Sequence, residues 1–371
     1  MTSAPTAVIV LAAGQGTRMH STTPKVLHTF AGRTILGHAL TAALAVEPEH
    51  LVVVVRHERD MVAKAVLELA PHAIIADQDE IPGTGRAVQC GLETLDKVIG
   101  ETQGTILVTS GDVPLLEDST LSALVEENEK EGAAVTLLTT EVANPFGYGR
   151  IIRVAKQVAA IVEESDATYP QKQIKEINAG IYAFDATFLR QTLPTLGQSN
   201  EQGEVYLTDT IAAARKQGRK VASFFLSDTA QAEGCNDRWQ MATLHAELNK
   251  RICKKWMLRG TTIVDPFSTW IDVHVELGQD THIEPGVRLQ GHTKIGEGCY
   301  IGPGCSLHDA IVEDGAILES QVHATTTTIT KGAHIAPFTL VNQEHFDEAI
   351  AATARIAAQG TTHSTIQEEK A

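Results

Sequence analysis

Residues 7–25 read AVIVLAAGQGTRMHSTTPK. The first five are apolar, with no polar residue to mark an exposed face. Such a run predicts a strand buried on both sides, as strands of a parallel sheet under helices are. The chain then leaves through small residues and two glycines, Gly14 and Gly16, with Arg18 and Lys25 close behind. Backbone N–H groups at a strand-to-helix turn can hold a phosphate, glycines keep its approach open, and cations add charge. Pro24 restricts the loop ahead of Lys25. The GK[ST] ending of a Walker A loop is absent, and Met19 stands where the GxGxxG fingerprint needs its third glycine. A glycine pair alone marks no more than a turn, but GxGTR followed by PK is more specific.

The same rhythm continues outward from this stretch. A helix is predicted over Ile35–Ala45, a strand over His50–Val55, a helix over Arg59–Leu69, and a short strand holding Ile74 and Ile75. Gly83–Leu95 opens with glycine and continues as a helix, and strands follow at Thr105–Thr109 and Ala133–Thr139. Apolar runs alternating with helices predict an α/β domain with a parallel sheet covered on both faces. Ligands of such sheets sit beyond the carboxyl ends of the strands, near a topological switch point.

From about residue 261 the period changes. Aliphatic residues recur every sixth position at Ile271, Leu277, Ile283, Leu289, Ile295, Ile301 and Leu307. The phase then slips once and resumes at Ile311, Ile317, Ile329, Ile335 and Val341, with His323 breaking the series. A six-residue period fits neither a helix nor an alternating strand. It predicts a short β-helix of hexapeptide repeats, three sides to a coil and about four coils. Its open end exposes strand edges and apolar faces that invite packing against copies. Residues 344–358 read as a helix before a polar tail, and Arg238–Met257 as a linking helix with Trp239, Met241, Leu244 and Leu248 on neighbouring faces. The expected division is 1–237, 238–260, 261–343 and 344–371.

With 371 residues, two domains are expected rather than one. The net charge of −16 argues against nucleic-acid or anionic-membrane binding, which needs a basic face, but not against phosphate ligands held locally. The five cysteines are odd in number and lack CxxC spacing, so they read as reduced thiols of a cytoplasmic protein, not a disulfide framework or zinc site. The N-terminus has no cationic segment before its apolar run, so no signal peptide is expected. No apolar run approaches the about 20 residues that span a bilayer, so no stable membrane insertion is expected.

Several further stretches carry chemistry. Gly83-Thr84-Gly85 opens a helix five residues after Gln78. An amide and exposed backbone there could read a pyrimidine edge, or the glycines could simply form a helix cap. Asp112, in SGDVPL after the strand TILVT, is placed at a strand's carboxyl end to bind a divalent cation, though a turn aspartate can also be purely structural. Gly149 in GYGR, Glu163 in AIVEE and Asn178 in EINAG offer carboxylate and amide groups suited to sugar hydroxyls. Asn236 in GCND is of the same kind, with a helix N-cap as its alternative reading.

Assembled, these stretches resemble the bacterial N-acetylglucosamine-1-phosphate uridylyltransferases. The matching segments are LAAGQGTRM…PKVLH, GTGRA, GDVPLL, NPFGYGRI, IVEESDAT, EINAGIYAFD, YLTD and EGCNDR, in order over residues 7–240, and the hexapeptide region extends the likeness to about 341. The resemblance implies a Rossmann-like nucleotidyltransferase domain with a mixed, mainly parallel sheet, then a short left-handed hexapeptide-repeat β-helix. It implies transfer from UTP to N-acetyl-α-D-glucosamine 1-phosphate, with a place in peptidoglycan and cell-wall synthesis.

The resemblance also implies residue roles. Leu11, Ala12, Ala13, Gly14, Lys25, Gln78, Gly83 and Thr84 would bind the nucleotide. Gly149, Glu163, Asn178 and Asn236 would bind the sugar. Asp112 and Asn236 would hold Mg²⁺, and Arg18 and Lys25 would act in catalysis by neutralising the triphosphate. Relatives of this kind trimerise through the β-helix, so a homo-oligomer is expected. Ser110 departs from members that carry tyrosine before the Gly-Asp pair. The HLTYLGD-type and NYDG-type stretches of the family's acetyltransferase half are missing, so acetyl transfer is not expected. The rival readings are another sugar-1-phosphate nucleotidylyltransferase, a non-catalytic regulatory homologue, and acetylation supplied through a separate protein.

Overall fold

The computed structural model describes residues 4–342, so the helix expected over 344–358 lies outside the described residues. The chain divides into two compact units. Of the described residues, one takes those up to Thr29 and from Thr34 to Leu244, and the other Phe30–Arg33 and those from His245 on.

Nine strands form the sheet of the first unit. They are β1 (Ala7–Leu11), β2 (His50–Val55), β3 (Ile74–Asp77), β4 (Thr105–Ser110), β5 (Val135–Glu141), β6 (Arg150–Val154), β7 (Gln157–Val162), β8 (Glu176–Asp185) and β9 (Val221–Phe225). Their order is β9-β5-β8-β4-β1-β2-β3, with β6 paired to β8 and β7 to β6. The sheet matches the mixed, mainly parallel expectation, and the antiparallel part is specific. Strand β8 runs against both β4 and β5, and β6–β7 is a hairpin. A wholly parallel sheet, the simpler reading of the alternating pattern, is therefore corrected at β8. The inversion brings the start of β8, with Asn178, to the end of the sheet where β1 and β4 finish.

Both faces of the sheet are covered, which explains the unbroken apolar run of β1. Val8 and Val10 pack with Leu36 and Leu40 of helix Ile35–Ala45 and Leu121 and Leu124 of helix Asp118–Glu131. Ala7 and Ile9 point the other way, into a core with Val88, Leu92 and Leu95 of helix Thr84–Ile99. Ile9, Val10 and Val54 are fully buried, each contributing about 1.5–3 kcal/mol of transfer free energy. Helix Ile35–Ala45 starts where Thr34 Oγ1 accepts from Gly37 N at 2.9 Å, a side-chain N-cap.

Helix Arg238–Met257 comes next in the chain. Leu244 is buried but Trp239 is 82% exposed, so the apolar face expected to include Trp239 does not include it. After this helix come parallel sheets of five, five and four short strands, the architecture of a hexapeptide β-helix with four complete three-sided coils.

The inward residues are Ile271, Leu277, Ile283, Leu289, Ile295, Ile301 and Leu307, as their spacing predicts. Beyond Leu307 the phase differs from the sequence expectation. The buried residues are Val312, Leu318 and Ala324, while Ile311 and Ile317 are 46% and 38% exposed and His323 is also outside. The series thus contains two five-residue steps, Leu307 to Val312 and Ala324 to Ile329, in place of the single four-residue slip from Leu307 to Ile311 that was expected. Strand pairing records both, because Leu307 sits against Ala324 and Val312 against Ile329. Aliphatic residues on the outer face masked the true phase; His323 breaks no series, because Ala324 fills the lumen.

All five cysteines are unpaired and buried. No helix among the described residues is long and apolar enough to cross a membrane.

Candidate active site

Four parallel strands end at one place. Leu11 closes β1, Arg56 and His57 follow β2, Gln78 follows β3, and Ser110 closes β4. With Ala12, Ala13, Gly14, Lys25, Gly83, Thr84 and Asp112 they line a cavity of about 320 Å³. A second cavity of about 230 Å³ shares Leu11, Thr84, Ser110 and Asp112 with the first. Its further wall holds Tyr148, Glu163, Asn178, Tyr182, Thr208 and Asn236. The two cavities form one cleft with Asp112 at their junction.

Three of the sequence candidates meet at that junction. Lys25 Nζ forms an ion pair with Asp112 Oδ2 and donates to Asn236 Oδ1 at 3.2 Å. Ser110 Oγ donates to Asp112 Oδ1 at 2.8 Å, so serine at this position orients the carboxylate. Asp112 O accepts from Cys235 N at 2.8 Å, which ties the GDVP turn to the GCND turn. Asn236 is not the cap of the following helix: Asp237 Oδ1 accepts from Gln240 N at 2.8 Å and takes that role. Asp112 and Asn236 therefore aim two hard oxygen donors at one point, and an ammonium already occupies it. That donor set and its stand-in cation fit Mg²⁺, which takes one or two protein oxygens and completes its shell with phosphate and water.

The glycines of the opening loop have separate reasons. Gly14 faces open space, so a Cβ there would meet nothing within 4 Å. Gly16 has φ +66° and its missing Cβ would run into Lys25 Cβ. Gly16 thus makes room for the Lys25 side chain, a correction to the reading in which both glycines make room for phosphate. Arg18 lies exposed in the turn Thr17–Met19, anchored by the buried Met19, and outside the lining of either cavity.

The Gly83-Thr84-Gly85 opening is also shaped by packing. A Cβ on Gly83 would strike the Val205 backbone, and one on Gly85 would lie 2.9 Å from Val205 Cγ1. Gly85 N donates to Val205 O at 2.8 Å, and Leu207 N donates to Thr84 Oγ1 at 3.2 Å. The YLTD stretch is thereby seated on the start of helix Thr84–Ile99. Gln78 Nε2 donates to Ile81 O at 3.0 Å and Gly83 O at 3.3 Å, which sets the curve of the loop between them.

The second wall is built from the hairpin β6–β7 and the start of β8. Gly149 immediately precedes β6, Glu163 immediately follows β7, and Asn178 N donates to Gly149 O at 2.9 Å. Arg150, 1% exposed, pairs with Glu164 at 2.5 Å and also donates to Tyr148 O, holding the GYG loop to the segment that carries Glu163. Gly149 stands behind Glu163: a Cβ there would sit 3.3 Å from Glu163 Oε2. Burial raises the Glu163 carboxyl above its usual range; the Thr208 hydroxyl, at 3.0 Å from Oε1, works against this, while Asp166, Asp209 and Glu204 add to it. Burial likewise raises the Tyr148 phenol.

The cleft therefore brings together Leu11, Ala12, Ala13, Gly14, Lys25, Gln78, Gly83 and Thr84 at one end, and Glu163, Asn178 and Asn236 at the other, with Gly149 behind that wall. Arg18 is the candidate it leaves outside. Sequence reasoning missed Thr208 and Tyr182, although both lie in quoted segments. The signal available was spacing: Tyr182 follows Asn178 by four residues on one strand, and so can share its face.

Comparison with known proteins agrees with this architecture. Residues 8–177 match the family model for the MobA-like NTP transferase domain, and residues 274–309 that for the bacterial transferase hexapeptide (six repeats). The chain is 49% identical over 334 residues to the bifunctional protein GlmU of Kineococcus radiotolerans, covering 90% of this chain and 67% of that protein. It is 51% identical over 341 residues to the bifunctional protein GlmU of Rhodococcus opacus, with the same coverage of 90% and 67%. With the bifunctional protein GlmU of Micrococcus luteus the identity is 47% over 349 residues, covering 90% and 69%.

Proposed function

Because this chain belongs to the GlmU family, we propose that it transfers a uridylyl group from UTP to N-acetyl-α-D-glucosamine 1-phosphate, releasing pyrophosphate. The observation that carries the reading is the two-part cleft with Lys25, Asp112 and Asn236 at its junction. A nucleotide would lie in the cavity lined by Ala13, Gly14, Gln78 and Thr84, and a sugar in the one lined by Glu163 and Asn178. Their phosphates would then meet beside Asp112.

The sugar phosphate oxygen attacks the α-phosphorus in line, and pyrophosphate leaves. That oxygen is anionic at neutral pH, so the chain need not provide a general base. Its residues bind, orient and neutralise. Lys25 offsets phosphate charge from within the cleft, and Arg18 could add to this only from its exposed turn. Asp112 and Asn236 would hold Mg²⁺, which when bound draws phosphates together and offsets their charge. Glu163 and Asn178 would accept and donate hydrogen bonds to sugar hydroxyl and amide groups. Acetyl transfer is not part of the proposal for these 371 residues. A homo-oligomer assembled through the β-helix is, and a light-scattering mass tests it.

The deciding experiment is pyrophosphate release from UTP and N-acetylglucosamine 1-phosphate, with and without Mg²⁺. Other nucleotides and sugar phosphates are run beside it, with coenzyme A release from acetyl-coenzyme A and glucosamine 1-phosphate as a separate arm. Mg²⁺-dependent release that is fastest with the named pair supports the reading. Faster turnover of another pair, or none of any, overturns it.

A further inference from the structure

Glu163 and Asn178 are each held by a hydroxyl to which the reaction has so far given no task. Tyr182 is 2% exposed, and its Oη accepts from Asn178 Nδ2 at 2.6 Å. At the other end of the same amide, Asn178 Oδ1 accepts from Gly180 N at 3.2 Å. The strand bulges here: its register shifts between Asn178 and Tyr182, and Gly180 adopts φ +74°. Turned over, the amide would set N–H against the Gly180 N–H, so the bulge and the phenol together fix its orientation. One N–H and one lone pair of Asn178 remain for a ligand.

Glu163 is fixed from another element. Thr208, 6% exposed, donates from Oγ1 to Glu163 Oε1 at 3.0 Å. The second oxygen, Oε2, lies on the side where Gly149 has no side chain. The charged groups acting on Glu163 are Asp166, Asp209 and Glu204, all acidic, and the phenols of Tyr182 and Tyr206 lie within its field. The Thr208 O–H is therefore the group that stabilises this carboxylate.

We propose that Tyr182 and Thr208 are positioning residues of the sugar-binding wall. Tyr182 fixes which edge of the Asn178 amide meets the ligand, and Thr208, bound to Oε1, holds the Glu163 carboxylate in the cavity wall and keeps it an acceptor. The inference rests on the nucleotidyl-transfer reading above and names two residues that act through Asn178 and Glu163.

The test uses the full chain with UTP and N-acetylglucosamine 1-phosphate, comparing wild type with Tyr182→Phe, Thr208→Val and Thr208→Ser. Tyr182→Phe raises KM for the sugar phosphate about fivefold, the worth of one neutral hydrogen bond, while KM for UTP and kcat stay near wild type. Thr208→Val raises the same KM about tenfold or more, because the lost bond was to a charged group. It also moves the acid limb of kcat/KM for the sugar phosphate to higher pH, and Thr208→Ser restores both. The substrate phosphate itself titrates at about pH 6, so the shift between variants is the readout. Parallel rises in both KM values, an unmoved acid limb, or a serine variant no better than valine overturns the inference. If Tyr182→Phe does not fold, the Thr208 pair decides. Wild-type turnover with unaffected variants sinks this inference alone. A silent wild type sinks the proposed function, and this inference with it.

Discussion

Lys25 and Asp112, 87 residues apart, form an ion pair where the two cavities of the cleft join, with side chains 10% and 20% exposed. The first strand's loop and the central strand's end are locked together by this contact, and Asn236 completes it from a third segment.

Asp112→Ala removes the carboxylate of that junction. We expect kcat to fall by at least about 100-fold at ordinary Mg²⁺, because one preorganised charge contact is lost at the phosphates. Near-normal kcat across a Mg²⁺ titration would refute the role.

Gly14→Ala and Gly16→Ala separate ligand space from packing. Gly16→Ala forces a left-handed backbone on alanine, costing about 1–2 kcal/mol, and pushes its Cβ into Lys25. Its Tm should fall together with its activity. Gly14→Ala has room in the protein, so its Tm should hold while KM for UTP rises. Equal Tm values for the two variants contradict this division.

Glu163 gives the expected pH dependence. Burial holds its carboxyl above the usual glutamate range, so it takes up a proton at a higher pH than an exposed glutamate does. As pH falls through that raised value the charged acceptor is lost, and KM for the sugar phosphate rises. Glu163→Gln should show a higher KM throughout and lose the part of the acid limb due to this group. Superimposable profiles for wild type and variant, scaled to the same plateau, speak against it.

Leu318→Ala and Ile317→Ala test the phase of the β-helix. Leu318 is fully buried, and truncating it should cost about 2–5 kcal/mol. Ile317 is 38% exposed and should cost under about 1 kcal/mol. Urea midpoints followed by a probe of this unit distinguish them, and the reverse order would restore the phase read from sequence.

Periodicity made most of the fold legible. The unbroken AVIVL run announces a strand covered on both faces, and the series from Ile271 to Leu307 announces the coils. It failed where two adjacent residues were both aliphatic: at Ile311-Val312 and Ile317-Leu318 either could be the inward one, and only the pairing with Ile295 and Ile301 chooses. The direction of β8 was illegible for a related reason, since a buried strand reads alike in either sense. At the site, the residues that gather at strand ends were readable because four parallel strands finish together. The contact between Gly16 and Lys25, the seating of Val205 on Gly83 and Gly85, and the hydroxyl of Thr208 on Glu163 depend on distances that no spacing encodes. Arg18 is the instructive case: its charge suggested the cleft, but the turn that buries Met19 leaves its neighbour in solvent.

The buried thiols make the chain its own recorder of opening. Cys90 and Cys235 belong to the first unit, and Cys253, Cys299 and Cys305 to the second. Burial also pushes the Cys235 and Cys253 thiols up to about 11, so little reactive thiolate exists while each unit stays shut. An alkylating reagent added to the native protein therefore marks each cysteine only when its surroundings let go. Peptide masses taken over time then report which half loosens first, with no label engineered into either.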